Sequence, residues 1–373
     1  MITVKEISTK KELKKFVKFP FKLYKDNKYW VPPIIKDEVS SFDKTKNPVF
    51  EHADARFFLA YENDKIVGRI CAMINWIEVK DQKVKKMRFG WFDFIDDLRV
   101  SRSLLEKVIE IGNENNLEFI EGPVGFSNLD KVGVLTYGFD HIGTMVTWYN
   151  HPYYENHYKQ FGLDVAKKYI EDYFLMENID IHKYSRINKI LKFRYKVREL
   201  NFNSSKDIIP YVDQMFNIFN SSYSKLSTFI PVTDAQIGYF KKKFIPFINP
   251  EFIKFVVDEN DDLVAFAVTM PSFAKALQKS KGKLFPTGVF HLLKARNNID
   301  AAVLYLIGVV PKFQKKGLTS IIFEQCYNSY IKLGVTKGII TPELEDNTEI
   351  HSIWRHFNPV IHKKRCTFKM DIS

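Results

Sequence analysis

The sequence predicts a mixed α/β chain made of two similar units, and three observations carry that reading. Stretches of strand and of helix periodicity alternate along the whole chain. A hairpin pattern recurs, once over residues 57–73 around Glu62-Asn63-Asp64-Lys65 and once over 252–270 around Asp258, and each copy leads to an apolar strand and a helix. Finally, 373 residues exceed one core of ordinary size, while 45% hydrophobic residues, including 33 Phe and 18 Tyr, suffice to fill two.

In the first unit, residues 1–7 read as a strand. Residues 11–19 read as a helix, with Leu13, Phe16 and Val17 on one stripe and Pro20 as its end. Val31-Pro32-Pro33 breaks the chain. Residues 56–61 and 66–76 form the hairpin, and 89–95 a further apolar strand. Residues 103–113 form a helix opened by a capping box of Ser103 and Glu106. A strand at 117–121, a glycine-bearing stretch, a helix at 153–161 and a strand at 169–176 complete a unit spanning 1–178. Residues 179–191 are polar and basic and read as a linker.

The second unit, 192–373, restarts with a strand at 192–202. Helices at 208–219 and 234–244 precede its hairpin. After an insertion at 272–300 come an apolar strand at 301–310, a helix, a strand at 338–343, a helix at 348–357 and a final strand at 360–372.

Composition narrows the function classes. The longest apolar run, 301–310, is about half of the roughly 20 residues that cross a bilayer, so no membrane span is expected. The N-terminus lacks an apolar signal core, and Cys71, Cys326 and Cys366 are widely spaced in apolar contexts, which suits a reduced, cytoplasmic setting. The histidines include no HExxH and the cysteines no zinc spacing, so no metal is expected. Net charge is +12, from 56 Lys and Arg against 44 Asp and Glu; it favours polyanions but is dispersed and does not by itself imply nucleic acid.

The most informative stretch is 301–327. Residues 302–310 are uncharged and rich in Val, Leu and Ile, without alternation, as in a strand buried on both faces. Leu318, Ile322, Cys326 and Tyr330 then recur every four residues, one stripe of a helix. Between them lies Gln314-Lys315-Lys316-Gly317-Leu318-Thr319. A helix start carries unpaired N–H groups and partial positive charge, and a glycine there permits close approach of a phosphate. At the equivalent place the first unit has Asp96-Asp97, which would repel one.

This loop resembles the pyrophosphate loop of the GNAT superfamily of N-acetyltransferases, Gln/Arg-x-x-Gly-x-Gly/Ala, with Gln314 and Gly317 matching and Thr319 in place of the usual small residue. The whole chain resembles the tandem acetyltransferase-like proteins of bacteria that carry VPP near the start (Val31 to Pro33), GPxxFS in the middle (Gly122 to Ser127) and an acidic EDN late (Glu345 to Asn347). The resemblance implies two tandem acyl-CoA N-acyltransferase domains, of which the second binds acetyl-CoA or another acyl-CoA. In it, Ile307, Val309 and Val310 would hold pantetheine through the strand backbone. Gln314, Lys315, Lys316, Gly317, Leu318 and Thr319 would hold the diphosphate, and Asn347 the pantetheine amide.

The acceptor would be a small-molecule or peptide amine, with Glu343 and Glu345 as candidate general bases; both carboxylates equally suit the charge preference of a helix N-terminus. They share a face if their strand stays extended that far. No tyrosine on 348–357 supplies an acid. Two alternatives remain at this level: an aminoacyl-tRNA-dependent transferase, which would use the basic surface to hold tRNA, and a non-catalytic acyl-CoA-binding sensor.

Overall fold

A computed structural model describes residues 1–224, 226, 229–245, 248–297 and 299–372. The first half contains β1 (Ile2–Ile7), α1 (Lys10–Leu23), α2 (Ile35–Ser41), β2 (Ala53–Glu62), β3 (Lys65–Asn75), β4 (Lys86–Phe94), α3 (Leu98–Glu114), β5 (Phe119–Gly122), β6 (Val134–Tyr137), α4 (Tyr154–Phe161) and β7 (Asp164–Leu175). The remainder contains α5 (Ile181–Tyr195), β8 (Arg198–Leu200), α6 (Val212–Tyr223), α7 (Asp234–Lys243), β9 (Ile253–Val257) and β10 (Leu263–Pro271). It continues with α8 (Ala274–Ser280), α9 (Gly288–Asn297), β11 (Ala301–Val309), α10 (Leu318–Lys332), β12 (Lys337–Ile340), β13 (Glu343–Leu344), α11 (Thr348–Trp354) and β14 (Val360–Asp371).

Local chemistry accounts for most of these boundaries. Thr9 and Glu12 form a reciprocal capping box that starts α1. The helix then runs through Pro20 to Leu23 instead of ending there. Asn63 and Asp64 both take positive φ, 46° and 62°, the backbone that a two-residue hairpin loop requires and that these residue types tolerate best after glycine. Helix α3 opens at Asp97, whose side chain accepts the N–H of Arg99 at 2.9 Å. Ser103, expected at the helix start, lies inside α3 and donates to the Arg99 carbonyl at 2.8 Å.

The strands form one sheet, ordered β1-β2-β3-β4-β5-β14-β7-β12-β11-β10-β9-β8 among the described residues. Its centre is an exchange. The last strand of the chain, β14, inserts between β5 and β7 of the first half, and β7 in turn pairs antiparallel with β12 of the second. Each half is thus completed by a strand from the other.

A buried charge network crosses this seam: Arg365 on β14 bonds Glu171 on β7, and Lys363 Nζ lies 3.7 Å from Glu171. Burial raises the Glu171 carboxyl, but Arg365 and Lys363 outweigh it and hold the pKa below the ordinary value.

The stretch expected as a linker is part of α5. Its Asn188 is fully buried and donates to Glu324 at 2.7 Å and to the Ser320 carbonyl at 3.0 Å, which pins it against α10. Only residues 198–200 of the strand expected at 192–202 form, and the insertion 272–300 folds into α8 and α9. The expected stripe of α10 packs as predicted: Leu318, Ile322, Cys326 and Tyr330 are all buried.

Candidate functional site

Strand β11 is the spine of the site. It pairs in parallel with β12 over residues 301–304 against 337–340, and then β12 ends while β11 continues to Val309. The two strands part there. On the other side β11 stays paired with β10, with a bulge at Tyr305.

Val310 N–H bonds the Val264 carbonyl at 2.9 Å, so antiparallel alternation turns the N–H and C=O of Ile307 and Val309 away from β10 and toward the gap. The Ile307 carbonyl accepts from Tyr223 Oη at 3.0 Å, and the Val309 carbonyl from Ser222 Oγ at 2.9 Å. Val310, expected in the same role, has its N–H engaged by β10 instead.

The loop after β11 leads to an open helix start. Lys315 and Gly317 take positive φ, 60° and 80°, and α10 has no side-chain cap. Among the described residues the N–H groups of Gly317, Leu318 and Thr319 have no hydrogen-bond partner. Three donors clustered at a positive helix end form a cradle for an anion. Gln314 hooks back, its Nε2 donating to the Val309 carbonyl at 3.1 Å. Lys315 pairs with Glu349 at 2.8 Å, and Lys316 lies over the Tyr195 and Phe313 rings. The two lysines therefore supply field around the loop, and its backbone supplies the donors.

The first half closes the equivalent place. The Asp97 carboxylate occupies the α3 start, and Asp96 bonds His157 Nε2 at 2.9 Å. In β4, Asp93 is bound by Arg69 at 2.7 Å and by Tyr24 Oη at 2.7 Å, and Tyr154 Oη lies 3.3 Å from it. Side chains fill the gap that β11 and β12 leave open.

A cavity of about 1020 Å³ opens from the β11–β12 gap and is walled by both halves. Gln314, Lys315, Gly317, Leu318, Thr319, Glu343 and Asn347 line it from the second half; Lys86, Arg88 and Glu121 line it from the first. Glu343 sits in β13. Trp354 donates its indole N–H to Oε1 at 2.8 Å, while Oε2 is buried without a hydrogen-bond partner and lies 3.5 Å from His351 Nδ1. His351 Nε2 lies 2.9 Å from the Leu344 carbonyl, which can only accept, so this nitrogen carries a proton. Burial, against the Trp354 bond and aided by Asp172, pushes the Glu343 pKa up to about 8.

Glu345 goes elsewhere. Strand β13 ends at Leu344, the chain turns, and Glu345 pairs with Lys364 at 3.4 Å outside the cavity. The extended strand that would have put both carboxylates on one face does not form. Asn347 caps α11, its Oδ1 accepting the Ile350 N–H at 3.3 Å, and its Nδ2 makes no hydrogen bond among the described residues.

Three contributors escaped sequence reasoning: Tyr223, His351 and Trp354. Burial, with the nearby Glu343 charge, pushes the Tyr223 phenol up to about 12. Only His351 carried a signal, as a histidine eight residues after a candidate carboxylate.

The architecture decides the fold. Superposition on the tandem GNAT protein from the clavulanic acid biosynthesis pathway covers 100% of this chain and 99% of that one, at a TM-score of 0.62 and 8% identity. The chain has the tandem GNAT fold. The GCN5-related N-acetyltransferase from Sphaerobacter thermophilus also matches over 100% of this chain and 96% of its own, at a TM-score of 0.52 and 6% identity.

Two curated relatives match in sequence. The protein YghO of Escherichia coli is 25% identical over 314 residues, covering 83% of this chain and 79% of its own. The bacterial ceramide synthase of Caulobacter vibrioides is 26% identical over 321 residues, covering 84% and 82%. No protein-family model matches. Among the described residues, no helix is long and apolar enough to cross a membrane.

Proposed function

We propose that this protein is an N-acyltransferase that moves an acyl group from acyl-CoA to an amine, with Glu343 as the base. The observation that carries the reading is the setting of Glu343: a cavity-lining carboxyl beside the β11–β12 gap, one oxygen fixed by Trp354, the other left without a hydrogen bond, its pKa raised to about 8. A carboxylate of that basicity accepts a proton from an amine far better than an ordinary one.

The residues suit an acyl-CoA. Gly317, Leu318 and Thr319 would take the diphosphate on their N–H groups, and the outward N–H groups of Ile307 and Val309, with Asn347 Nδ2, would hold the pantetheine amides. When bound, the coenzyme supplies a thioester carbonyl as electrophile. Glu343 removes the amine proton as the nitrogen bonds to the carbonyl carbon and the carbon–sulfur bond breaks. Tyr223 stays protonated to a pKa of about 12 and supplies a proton to the departing sulfur. We place the working coenzyme site in the second half, residues 192–373, and the acceptor between it and the first, residues 1–178.

The relative named bacterial ceramide synthase suggests the acceptor class to test first, a long-chain amino alcohol, since ceramide is an N-acylated one. The test is release of free CoA thiol from acyl-CoA of graded chain length, with sphingoid bases and short polar amines as acceptors. Acyl-CoA binding without thiol release across that panel would favour a binding protein over an enzyme.

A further inference from the structure

We infer that α5 is a membrane-docking helix that binds an anionic lipid surface on the side of the helix turned away from the cavity. Its outward half carries Ile187, Ile190 and Phe193, which are 43%, 61% and 89% exposed. An apolar stripe of this size turned to water on a helix is uncommon in a soluble protein and marks an interaction surface.

Charge selects the partner. The helix contains Lys183, Arg186, Lys189, Lys192 and Arg194 and no acidic residue. Lys192 pairs with Glu199, whereas Lys183, Arg186, Lys189 and Arg194 make no ion pair among the described residues. By helical geometry Lys183, Arg186, Ile187, Ile190 and Arg194 share one face, with Phe193 and Lys189 along its edge. Aliphatic and aromatic side chains flanked by unpaired cations are what a helix lying in the headgroup layer of an anionic bilayer presents.

Position adds a second argument, because the inward face of the same helix touches the site. Leu191 lies where a Cβ on Gly317 would meet it at 3.3 Å, and Tyr184 lines the cavity. α5 therefore stands between a bilayer on its outward face and the loop that opens α10. This inference does not depend on which reaction the cavity performs.

The test is co-sedimentation of the full chain with vesicles of phosphatidylcholine alone and of phosphatidylcholine mixed with phosphatidylglycerol. We expect binding roughly tenfold or more stronger to the anionic vesicles, weakened by added salt. The double variant Ile190→Glu with Phe193→Glu should lose most of it at an unchanged melting temperature, since neither side chain is packed. Equal binding to both vesicle types, or undiminished binding by the variant, would overturn the inference. So would a wild-type dimer that ignores vesicles and becomes a monomer in the variant by light scattering, or a tRNA gel shift abolished by the variant with no vesicle binding.

Discussion

The indole N–H of Trp354 reaches Oε1 of Glu343 at 2.8 Å and fixes the carboxyl in a pocket where its other oxygen meets only His351 Nδ1, at 3.5 Å. Trp354 is itself wedged among Phe174, Phe323 and Phe357, so the donor cannot swing away. This pair determines how the site responds to pH and to substitution.

Glu343→Gln should reduce turnover roughly a hundredfold or more while acyl-CoA affinity holds, because a general base is lost and no coenzyme contact with it. The amide fits, with its oxygen facing Trp354. Wild-type turnover should rise with pH up to about 8, where Glu343 becomes the carboxylate, and a flat profile below that value would remove Glu343 from the mechanism.

The same group makes a stability prediction of definite sign. The folded pKa of about 8 lies above the ordinary 4.5, so between those values the native state holds a proton that the unfolded chain has released, and stability falls as pH rises across the window. The loss is on the order of a few kcal/mol at most. Glu343→Gln lacks it and should melt above wild type beyond pH 8 and level with it near pH 4.5; parallel melting curves at all pH values would contradict the raised pKa.

Glu345→Gln should leave turnover unchanged. Its carboxylate pairs with Lys364 on the surface, an exposed contact worth about 0 to 1 kcal/mol, and lies off the cavity wall. A hundredfold loss in this variant, measured beside Glu343→Gln, would exchange the roles assigned to the two carboxylates.

Titration calorimetry should find one acyl-CoA per chain. Gly317→Val should abolish binding, since its φ of 80° suits glycine and a side chain would intrude on the N–H cradle. Asp97→Ala should leave binding intact and cost about 0.5 to 2 kcal/mol of stability through the lost α3 cap. Two sites per chain would show that the first half also accepts the coenzyme.

Arg365→Ala should destabilise by about 3 to 5 kcal/mol, read by chemical denaturation, because it strands the buried Glu171 carboxylate with only Lys363 at 3.7 Å. A change within about 0.5 kcal/mol would mean that the pair is neutral in the fold.

What the sequence revealed were features decided within a few residues. The Asn63-Asp64 turn, the stripe of α10 and the glycine before it are local patterns, and the structure contains all three. What escaped it depends on distant partners. Asn188 and Ser185 made residues 179–191 look like a linker because their bonds to Glu324, far along the chain, cannot be seen in a hydrophobic pattern. Tyr223 reaches the site from α6, more than a hundred residues before Glu343, and nothing around it marks the approach. Glu345 was misplaced because alternation held only as long as β13, which is Glu343 and Leu344 alone. The interleaving of β7 and β14 needs knowledge of both halves at once.

That interleaving also governs how the chain can be made. Strand β14 leaves the ribosome after β1 to β13, yet it is the partner of β5, β6 and β7 in the first half. Until it emerges, three strands of the first half wait with open edges, and the first half cannot close as an independent foldon however early its residues appear. A nonsense mutation that removes residues 360–373 deletes nothing from the cavity wall. It would nevertheless leave a nascent protein with unpaired strands at its centre, a substrate for chaperones and proteases before the cavity could act.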